Sequence, residues 1–393
     1  MKVTCFIDSL SSGGAQRQLC TLAVLLKKRG MDVSMLTYHP YDFFLPMIRE
    51  AGIPCRCIEA RNPLGRALAV RSALRRGDQD VVLAYLEAPS LYAELAAFPR
   101  PRWGLVVSER SAKPRAHRGR LRWMWKLHRR ADYLVANSHS SRLMMEYADP
   151  RMKGRIVTVY NVVELEKFSP APAIEGGADS TLRLLTAASF QKLKNPEGFI
   201  EAIAITREME PSLNIQLDWY GGLPARKSGL PDDDLWNDCS RLIKRRGLEA
   251  HVRLHPPDSG ILDLYRKADA VVLPSFFEGL SNVVCEAMAC GRPVLAGDVT
   301  DMANLVKDGC NGFLFDPSSP KDMARAVLQF AKLSRADREL FGQRGRLRAQ
   351  RIFDASIIVG RYAEILEAAA MHKRVTFEHW ISDVPDAAYR GLK

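Results

Sequence analysis

The chain has 393 residues, which is too long for one ordinary hydrophobic core and predicts two domains of about 150 to 200 residues each. Its 47% hydrophobic and 26% charged residues are typical of a globular protein and exclude a largely disordered chain. The longest apolar runs, such as Ala270 to Leu273, have the length of a buried strand and fall far short of the ~20 residues that cross a bilayer.

The first ten residues, MKVTCFIDSL, place Asp8 directly after a short apolar strand. They lack the long apolar region and the small-residue cleavage site of a secretory signal, so we expect a cytoplasmic protein. The cysteines show no C-x-x-C spacing, and we interpret them as reduced core thiols rather than disulfides or metal ligands. They stand at positions 5, 20, 55, 57, 239, 285, 290 and 310.

The first half of the chain alternates short apolar runs with amphipathic stretches. The clearest helix runs from Gln16 to Arg29, where Leu19, Leu22 and Leu26 share one face. Strands and helices in steady alternation predict a parallel sheet with helices on both sides, the doubly wound α/β arrangement. The predicted strands are VTCFID, DVSMLTY, CRCIEA, VVLAYL, WGLVVS, YLVANS and RIVTVY.

The net charge of +12 is concentrated in a basic stretch from Arg100 to Arg130, which holds three tryptophans and the single acid Glu109. Lysine and arginine attract lipid headgroups while indole rings favour the interface, so the stretch predicts contact with an anionic inner-membrane surface. Nucleic acid is the competing partner, which we do not expect, and a solvated helix with inward tryptophans is a third interpretation. The candidate acceptor-facing or membrane-facing residues are Arg110, Arg115, Arg118, Arg122 and Trp123.

The alternation breaks after Tyr160, where FSPAPAIEGGADS prevents regular structure because it is rich in Pro, Gly and Asp. We place a first domain at residues 1–172, a second at 173–360, and a helical tail at 361–393 that packs back toward the first domain. Two doubly wound domains facing a central cleft are therefore predicted, with ligands at the carboxyl ends of the strands.

The second half repeats the alternation after this break. Its predicted strands are LRLLTAA, IQLDWYG, HVRLH, AVVLP, PVLAG and GFLF. Its predicted helices span 196–209, 232–246, 261–267, 320–333, 335–351 and 355–371.

The most informative segment is PSFFEGLSNVVCEAMACGRPV, which begins where the strand AVVLP ends at Pro274. A loop from Ser275 to Ser281 precedes a helix that runs to about Cys290 and is capped by Ser281 or Asn282. Gly291 is placed to end this helix. The free amides and the positive dipole end of such a helix can bind a diphosphate.

Two carboxylates occupy different places in this segment, since Glu278 lies in the loop and Glu286 lies one turn into the helix. A carboxylate accepts hydrogen bonds from hydroxyl pairs, so one can hold sugar hydroxyls and the other ribose hydroxyls. The structural alternative is that Glu286 is a helix-surface residue and Glu278 a cap.

The segment resembles the E-x7-E motif of retaining glycosyltransferases of family four (glycosyl transferases group 1), which have the GT-B fold. The likeness includes the flanking PS, EGL, SN, EAMACG and RPV elements, and other landmarks follow in order along essentially the whole chain. The resemblance implies that the first domain binds the acceptor and the second the nucleotide-sugar. It implies Glu278 at the catalytic position on the sugar, Glu286 on ribose, and donor contacts from Gly279, Leu280, Ser281 and Asn282.

Two further segments are similar to donor-site motifs of the same family. SSGGAQRQL resembles the glycine-rich first loop that faces the donor phosphates, with Gly13 and Gly14 allowing close backbone approach. AASFQKLKNP resembles the strand end that commonly carries an arginine and, five residues later, a lysine on the diphosphate. Here the lysine is Lys194, but the arginine position is Ser189, and either Lys192 or Arg226 could supply the missing charge.

The chain also departs from the family in its acceptor domain, where many relatives have a histidine after the strand WGLVVS. This sequence has SERS, so Glu109 and Arg110 occupy that position. Similar SER segments occur in relatives that build lipid-linked or surface glycans, which favours that role. Arg110 either binds an acceptor phosphate or pairs with Glu109. The segment GDVTDMANLV has Asn304 where many relatives have glutamate, and we assign it no chemistry.

The sequence predicts no cofactor and no metal site, since no His-x-x-x-His or Asp-x-Asp spacing lies near the phosphate-binding segments. The expected activity is retaining transfer of a hexosyl or N-acetylhexosaminyl group from a nucleotide-diphosphate sugar to a glycan or lipid-linked acceptor, in polysaccharide or lipopolysaccharide assembly. We expect the protein in the cytoplasm or peripherally on the inner face of the plasma membrane. The alternatives are a sugar-nucleotide epimerase and an inactive binding protein of the same fold.

Overall fold

The computed structural model describes residues 1–60, 62–110, 126–171, 181–223 and 233–377. These form two compact units, the first comprising Met1–Val162 and the segment that begins at Asp354, the second Val163–Phe353. The first segment of the first unit thus ends at Val162, before the predicted boundary at residue 172. Its second segment begins at Asp354, before the predicted start of the tail at residue 361. The reason is that the boundary follows which sheet a segment covers, whereas the sequence shows only where regular structure stops.

The first unit is built on a seven-stranded parallel sheet with the strand order β3-β2-β1-β4-β5-β6-β7. The strands are β1 Lys2–Phe6, β2 Asp32–Thr37, β3 Cys55–Cys57, β4 Val81–Tyr85, β5 Gly104–Glu109, β6 Tyr133–Ala136 and β7 Ile156–Thr158. The α-helices are Gly14–Lys28, Leu45–Glu50, Pro63–Arg76, Glu87–Ala96, His139–Ala148 and Ala355–Ala370. The sequence predicts each of these strands. Buried parallel strands read as continuous apolar runs, as in β4, β5 and β6, whereas β3 is partly or fully exposed.

The C-terminal helix Ala355–Ala370 completes the core of the first unit. It packs against β4 and β5, and the hydroxyls of Tyr362 and Tyr85 lie 2.6 Å apart in the interior. The helix approaches β5 so closely that a Cβ on Gly104 would lie 2.2 Å from the carbonyl oxygen of Ala369. Only glycine fits at this position.

The second unit is built on a six-stranded parallel sheet with the order β10-β9-β8-β11-β12-β13. The strands are β8 Leu182–Ala187, β9 Ile215–Tyr220, β10 Val252–His255, β11 Ala270–Leu273, β12 Val294–Gly297 and β13 Gly312–Phe315. The α-helices are Pro196–Met209, Asp234–Arg245, Ile261–Lys267, Asn282–Ala289, Met302–Leu305, Pro320–Ala331 and Arg335–Ile352. The predicted α/β class with two doubly wound sheets is confirmed.

Each sheet has one point where the strand order reverses direction, between β1 and β4 in the first unit and between β8 and β11 in the second. Loops that follow two such neighbouring strands leave the sheet on opposite sides and open a crevice at the carboxyl edge. Ligands of open α/β sheets bind in that crevice, so the switch points direct attention to the loops after these four strands. Within the described residues, no helix is long and apolar enough to cross a membrane.

Candidate functional site

Glu278 lies in the loop that follows β11, and its carboxylate is held by two side chains of the second unit. Its Oε1 accepts a hydrogen bond from the Lys194 ammonium at 2.6 Å and another from the Ser275 hydroxyl at 2.6 Å. The residue is only 9% exposed. Both hydrogen bonds go to the same oxygen, which leaves Oε2 able to accept hydroxyls from a ligand.

Lys194 reaches Glu278 because β8 and β11 are neighbours and the loops that follow them are joined. Lys192–Lys194 form a single 3₁₀ turn after β8, and the backbone N–H of Phe276 donates to the carbonyl of Leu193 at 2.9 Å. Asn195 then adopts the left-handed conformation, with φ of 56°, and its side chain donates to the Pro317 carbonyl at 2.8 Å. The turn is therefore fixed on both sides of the lysine.

Ser189 also follows β8, at the position where the motif that this segment resembles commonly has arginine. Its carbonyl accepts from the N–H of Gln191 at 2.8 Å, and the next residue, Phe190, donates to the Gly222 carbonyl at 2.9 Å. A Cβ on Gly221 would lie 1.9 Å from the carbonyl oxygen of Ala188, so the backbones after β8 and β9 meet closely. Ser189 and Lys194 are thus brought to one carboxyl edge, and Lys192 lies in the same turn as Lys194. Arg226, the other candidate for the missing charge, lies outside the described residues.

The helix Asn282–Ala289 begins directly after the Glu278 loop. Ser281 is its N-cap, with its hydroxyl 3.5 Å from the N–H of Val284. At the other end Gly291 has a φ of 66° and ends the helix, as its position in the sequence indicates. The N–H of Arg292 donates to the Ala287 carbonyl at 2.9 Å, which is the Schellman arrangement.

The donor-contact candidates Gly279, Leu280, Ser281 and Asn282 form the last turn of the loop and the first helical residue. Leu280 and Ser281 are buried, whereas Gly279 and Asn282 are partly exposed. Their position at a helix start is the local geometry that favours anion binding. Their contact with a donor stays a prediction.

Glu286 is 6% exposed, so its carboxylate does not lie on the outer surface of the helix. Its Oε2 accepts a hydrogen bond from the hydroxyl of Tyr265 at 3.1 Å. Tyr265 comes from the helix Ile261–Lys267 and is fully buried. A fixed, buried carboxylate is suited to bind a hydroxyl pair, because its orientation is set before the ligand arrives.

Sequence reasoning missed Tyr265 and Ser275, the two residues that orient the carboxylates. Ser275 belongs to the quoted motif and lies three residues before Glu278, so the sequence could have indicated that its hydroxyl reaches this carboxylate. Tyr265 stands 21 positions before Glu286, and no spacing rule connects them. Only the tertiary fold, which places the side chains of two separate helices within hydrogen-bond distance, brings them together.

The remaining candidates belong to the first unit. Gly13 is the N-cap of the helix Gly14–Lys28, directly after the loop that follows β1. Arg110 follows β5; its guanidinium donates to the Asn161 side chain and lies 4.8 Å from the ring centroid of Tyr85. The contacts of Gly13 and Gly14 with donor phosphates stay predictions. Arg115, Arg118, Arg122 and Trp123 lie outside the described residues.

A buried ion pair in the first unit joins the helix Glu87–Ala96 to the short turn His128–Arg130 that precedes β6. His128 Nδ1 is 2.5 Å from Glu94 Oε1, and these residues are 6% and 1% exposed. Burial acts to lower the pKa of His128, but the hydrogen bond and charge of Glu94, with smaller effects of Glu109 and Glu87, raise it above its ordinary value. Burial also raises the pKa of Glu94, against the opposing effect of His128.

A metal site would need several His, Cys, Asp or Glu side chains converging. Among the residues that the structure describes, no group of three or more is arranged in this way. The prediction that no metal is needed is not tested by this observation. The positive groups that the site does provide are the Lys194 ammonium and the start of a helix.

Two family models match the chain, each of them mainly within one unit. The model described as Glycosyltransferase Family 4 matches residues 12–167, and the model described as Glycosyl transferases group 1 matches residues 181–332. Glu278, Glu286, Lys194 and Ser189 all lie in the second match. Both halves of the chain are therefore similar to glycosyltransferase domains.

The chain is similar to curated proteins over part of its length. It is 36% identical over 215 residues to the D-inositol 3-phosphate glycosyltransferase of Nocardiopsis dassonvillei, a match that takes in 52% of this chain and 49% of that protein. The chain spans about half the length of the curated relatives it matches.

The fold is shared with several solved structures. Anabaena Alr3699/HepE in complex with UDP matches with a TM-score of 0.79 and 21% identity, covering 94% of this chain and all of that one. The lipopolysaccharide outer core galactosyltransferase WaaB, in its apo form, matches with a TM-score of 0.70 and 16% identity, covering 94% and 99%. At these identities the likeness shows the fold, which is the predicted GT-B class.

Proposed function

We propose that this chain, in which both units match glycosyltransferase family models, is a retaining glycosyltransferase. It takes a hexosyl or N-acetylhexosaminyl group from a nucleotide-diphosphate sugar and transfers it to a glycan or lipid-linked acceptor. The second unit binds the donor and the first unit binds the acceptor. The protein acts in surface polysaccharide or glycoconjugate assembly, in the cytoplasm or on the inner face of the membrane.

The observation that carries this proposal is the contact between Lys194 and Glu278 at the switch point of the second sheet. A lysine and a carboxylate 2.6 Å apart stand at the carboxyl ends of the neighbouring strands β8 and β11. An open α/β sheet binds nucleotides in this place. A donor diphosphate that enters here meets the Lys194 ammonium, and its sugar meets the Glu278 carboxylate.

In the proposed mechanism, the second unit stabilises the negative charge that develops as the glycosidic bond to the diphosphate breaks. Lys194 and the N–H groups at the start of the helix Asn282–Ala289 supply this stabilisation, because both are positive and fixed before the reaction. Glu278 orients the sugar hydroxyls through Oε2. Glu286, held by Tyr265, accepts the ribose hydroxyls.

The acceptor enters on the face of the sugar from which the diphosphate leaves, so the anomeric configuration is retained. The leaving phosphate takes the acceptor proton, and this route needs no protein nucleophile. Glu278 is then the catalytic residue in the sense that it holds the reacting sugar. The resemblance of the motif to retaining members of the family supports this route.

The bound ligand of a structurally similar protein supports the choice of donor. Alr3699/HepE was solved with UDP and also with UDP and glucose. We therefore place UDP-sugars first among the donors to be tested. The curated relatives act on an inositol phosphate, according to their names, which supports a polar or phosphate-bearing acceptor near Arg110.

The experiment is a thermal-shift and turnover screen against UDP-, GDP-, ADP- and dTDP-sugars. A ligand that binds only the native protein raises its apparent stability, so a true donor raises the Tm. The same mixtures are assayed for release of free nucleoside diphosphate. Conversion of one sugar nucleotide to another without diphosphate release would favour an epimerase, and a Tm shift without any reaction would favour an inactive binding protein.

A further inference from the structure

A basic pocket of about 300 Å³ lies in the first unit, at the amino ends of β5, β6 and β7. Arg100 precedes β5, Arg129 and Arg130 precede β6, and Arg155 directly precedes β7. The pocket is therefore at the sheet edge opposite to Arg110, which follows β5. β5 has six residues, so the two edges are ~20 Å apart. The carboxyl-edge chemistry proposed above does not use this pocket.

One wall of the pocket is the segment that follows the C-terminal helix, and this wall is fixed to the sheet. The Tyr133 hydroxyl donates to the Lys373 carbonyl at 2.8 Å and accepts from the N–H of Val375 at 2.8 Å. The rings of Tyr133 and Phe377 are 5.5 Å apart. His372 Nδ1 lies 3.1 Å from the Asp132 carboxylate. Lys373 and Arg374 are thus held beside the pocket.

The acidic side chains near the pocket already have hydrogen-bond or ion-pair partners within the protein. Asp149 binds Arg129 through both of its oxygens, at 2.6 and 3.1 Å. Asp132 contacts His372 and also accepts from the N–H of Leu105 at 2.8 Å. Across residues 1–60, 62–110, 126–171, 181–223 and 233–377, no ion pair joins a carboxylate to the other five cations. These are Arg100, Arg130, Arg155, Lys373 and Arg374.

The fold holds Arg155 close to another cation, which disfavours the charged form of its guanidinium. Its guanidinium is half-buried and donates to the carbonyls of Arg129 at 3.2 Å and Ala131 at 3.0 Å, so it cannot turn away into solvent. Burial, and next the nearby charge of Arg374, lower the pKa of Arg155, and the smaller opposing effects of Asp132 and Asp149 do not cancel them. An anion in the pocket would relieve this repulsion, because opposite charge favours the ionised guanidinium.

We propose that this pocket binds a phosphate group, carried either by a soluble phosphate compound or by the headgroup of a phospholipid. Guanidinium groups bind phosphate oxygens in pairs of parallel hydrogen bonds, and several of them lie around one small cavity here. The volume of about 300 Å³ is at the lower end of the range for small-ligand pockets. The proposal does not depend on the transferase activity.

The test measures binding of inorganic pyrophosphate by calorimetry and of vesicles by co-sedimentation, with ionic strength held constant. Calorimetry uses the Lys194→Ala background, so that the proposed donor site does not contribute. The vesicles contain phosphatidylcholine with either phosphatidic acid or phosphatidylglycerol at equal charge. The pocket variant is Lys373→Gln/Arg374→Gln, and the matched control is Arg344→Gln/Arg351→Gln, two exposed residues of the helix Arg335–Ile352.

We expect at least tenfold weaker binding in the pocket variant and unchanged binding in the control, which loses the same charge. Saturable pyrophosphate binding with this dependence identifies a soluble phosphate ligand. A preference for phosphatidic acid vesicles with the same dependence, without pyrophosphate binding, identifies a lipid headgroup. The proposal is overturned if neither probe binds saturably, or if pocket and control variants bind equally. If Lys373→Gln/Arg374→Gln loses its native circular dichroism, Arg100→Gln/Arg130→Gln replaces it as the pocket variant, with the same expected and contradicting outcomes.

Discussion

The Lys194 ammonium lies 2.6 Å from the Glu278 carboxylate, although 84 positions separate the two residues. The pair forms because β8 and β11 are adjacent in the sheet and because the Phe276 N–H bonds the Leu193 carbonyl. In the absence of a donor each residue neutralises the other. A bound diphosphate would pair with the Lys194 ammonium, and the Glu278 carboxylate would then be available to the sugar hydroxyls.

Lys194→Ala is expected to lower kcat/KM by about a hundredfold, since it removes the cation that stabilises the leaving diphosphate. Steady-state kinetics with the donor found in the nucleotide-sugar screen measure the change. Lys244→Ala is the control, because Lys244 is exposed in the helix Asp234–Arg245 and is not among the candidate donor residues. Equal activity of the two variants would remove Lys194 from the mechanism.

Tyr265→Phe is expected to raise the donor Kd about three- to tenfold, because Glu286 loses the hydroxyl that orients it. Glu286→Ala should weaken the donor more strongly, since it also removes the acceptor of the ribose hydroxyls. Titration calorimetry with nucleoside diphosphate measures both variants, and Tyr41→Phe at an exposed site serves as control. If Tyr265→Phe binds the nucleotide as tightly as the wild type, Glu286 does not act through its orientation.

Ser189→Arg is expected to tighten nucleoside diphosphate binding about tenfold, because it places a second cation at the carboxyl end of β8. The gain should shrink as the salt concentration rises, since ionic strength screens exposed charges. Ser189→Ala should change binding by much less. Weaker binding in Ser189→Arg would show that another group already occupies the position of the missing charge.

The Glu94 and His128 pair predicts a pH dependence of stability. The folded-state pKa of His128 is raised, so its stabilising contribution is complete below the unfolded pKa of about 6.5 and is lost as pH rises through the folded value. Urea unfolding between pH 6 and 9 should show this loss in the wild type. His128→Ala should reduce the free energy of unfolding by about 3 kcal/mol at pH 6, because it leaves a buried carboxylate without its partner.

Glu94→Gln is the matched test of this pH dependence. The amide keeps the shape of the side chain but removes the charge that raises the pKa of His128. We expect the alkaline decline of stability to become shallower and to move to lower pH. An unchanged profile in Glu94→Gln would assign the decline to other groups.

Much of the second unit could be predicted from the sequence, because its signals are local. Buried parallel strands are apolar runs of fixed length, and AVVLP, PVLAG and GFLF coincide with β11, β12 and β13. Gly291 ends the motif helix because a residue with positive φ is needed there, and glycine adopts that conformation without strain. The four-residue helix Met302–Leu305 is too short to show a period and was not predicted.

The tertiary contacts could not be predicted in the same way. An amphipathic pattern shows that the helix Ala355–Ala370 has a buried face, but it does not show which sheet covers that face. The hydrogen bond between Tyr265 and Glu286 likewise depends on how two helices pack. The basic pocket gathers residues from before three strands and after the last described helix, and no single stretch of sequence contains it.

The position of the C-terminal helix in the first unit has a consequence for synthesis on the ribosome. β1 to β7 leave the ribosome before the second unit is made, but the helix that covers β4 and β5 is synthesised after Phe353. Part of the apolar interior of the nascent first unit therefore stays uncovered while nearly two hundred further residues are translated. At ~5–20 residues per second, this takes on the order of ten seconds or more. Chaperone binding to the nascent chain is expected during that interval. Any fragment that ends at the unit boundary would retain the same exposed surface permanently.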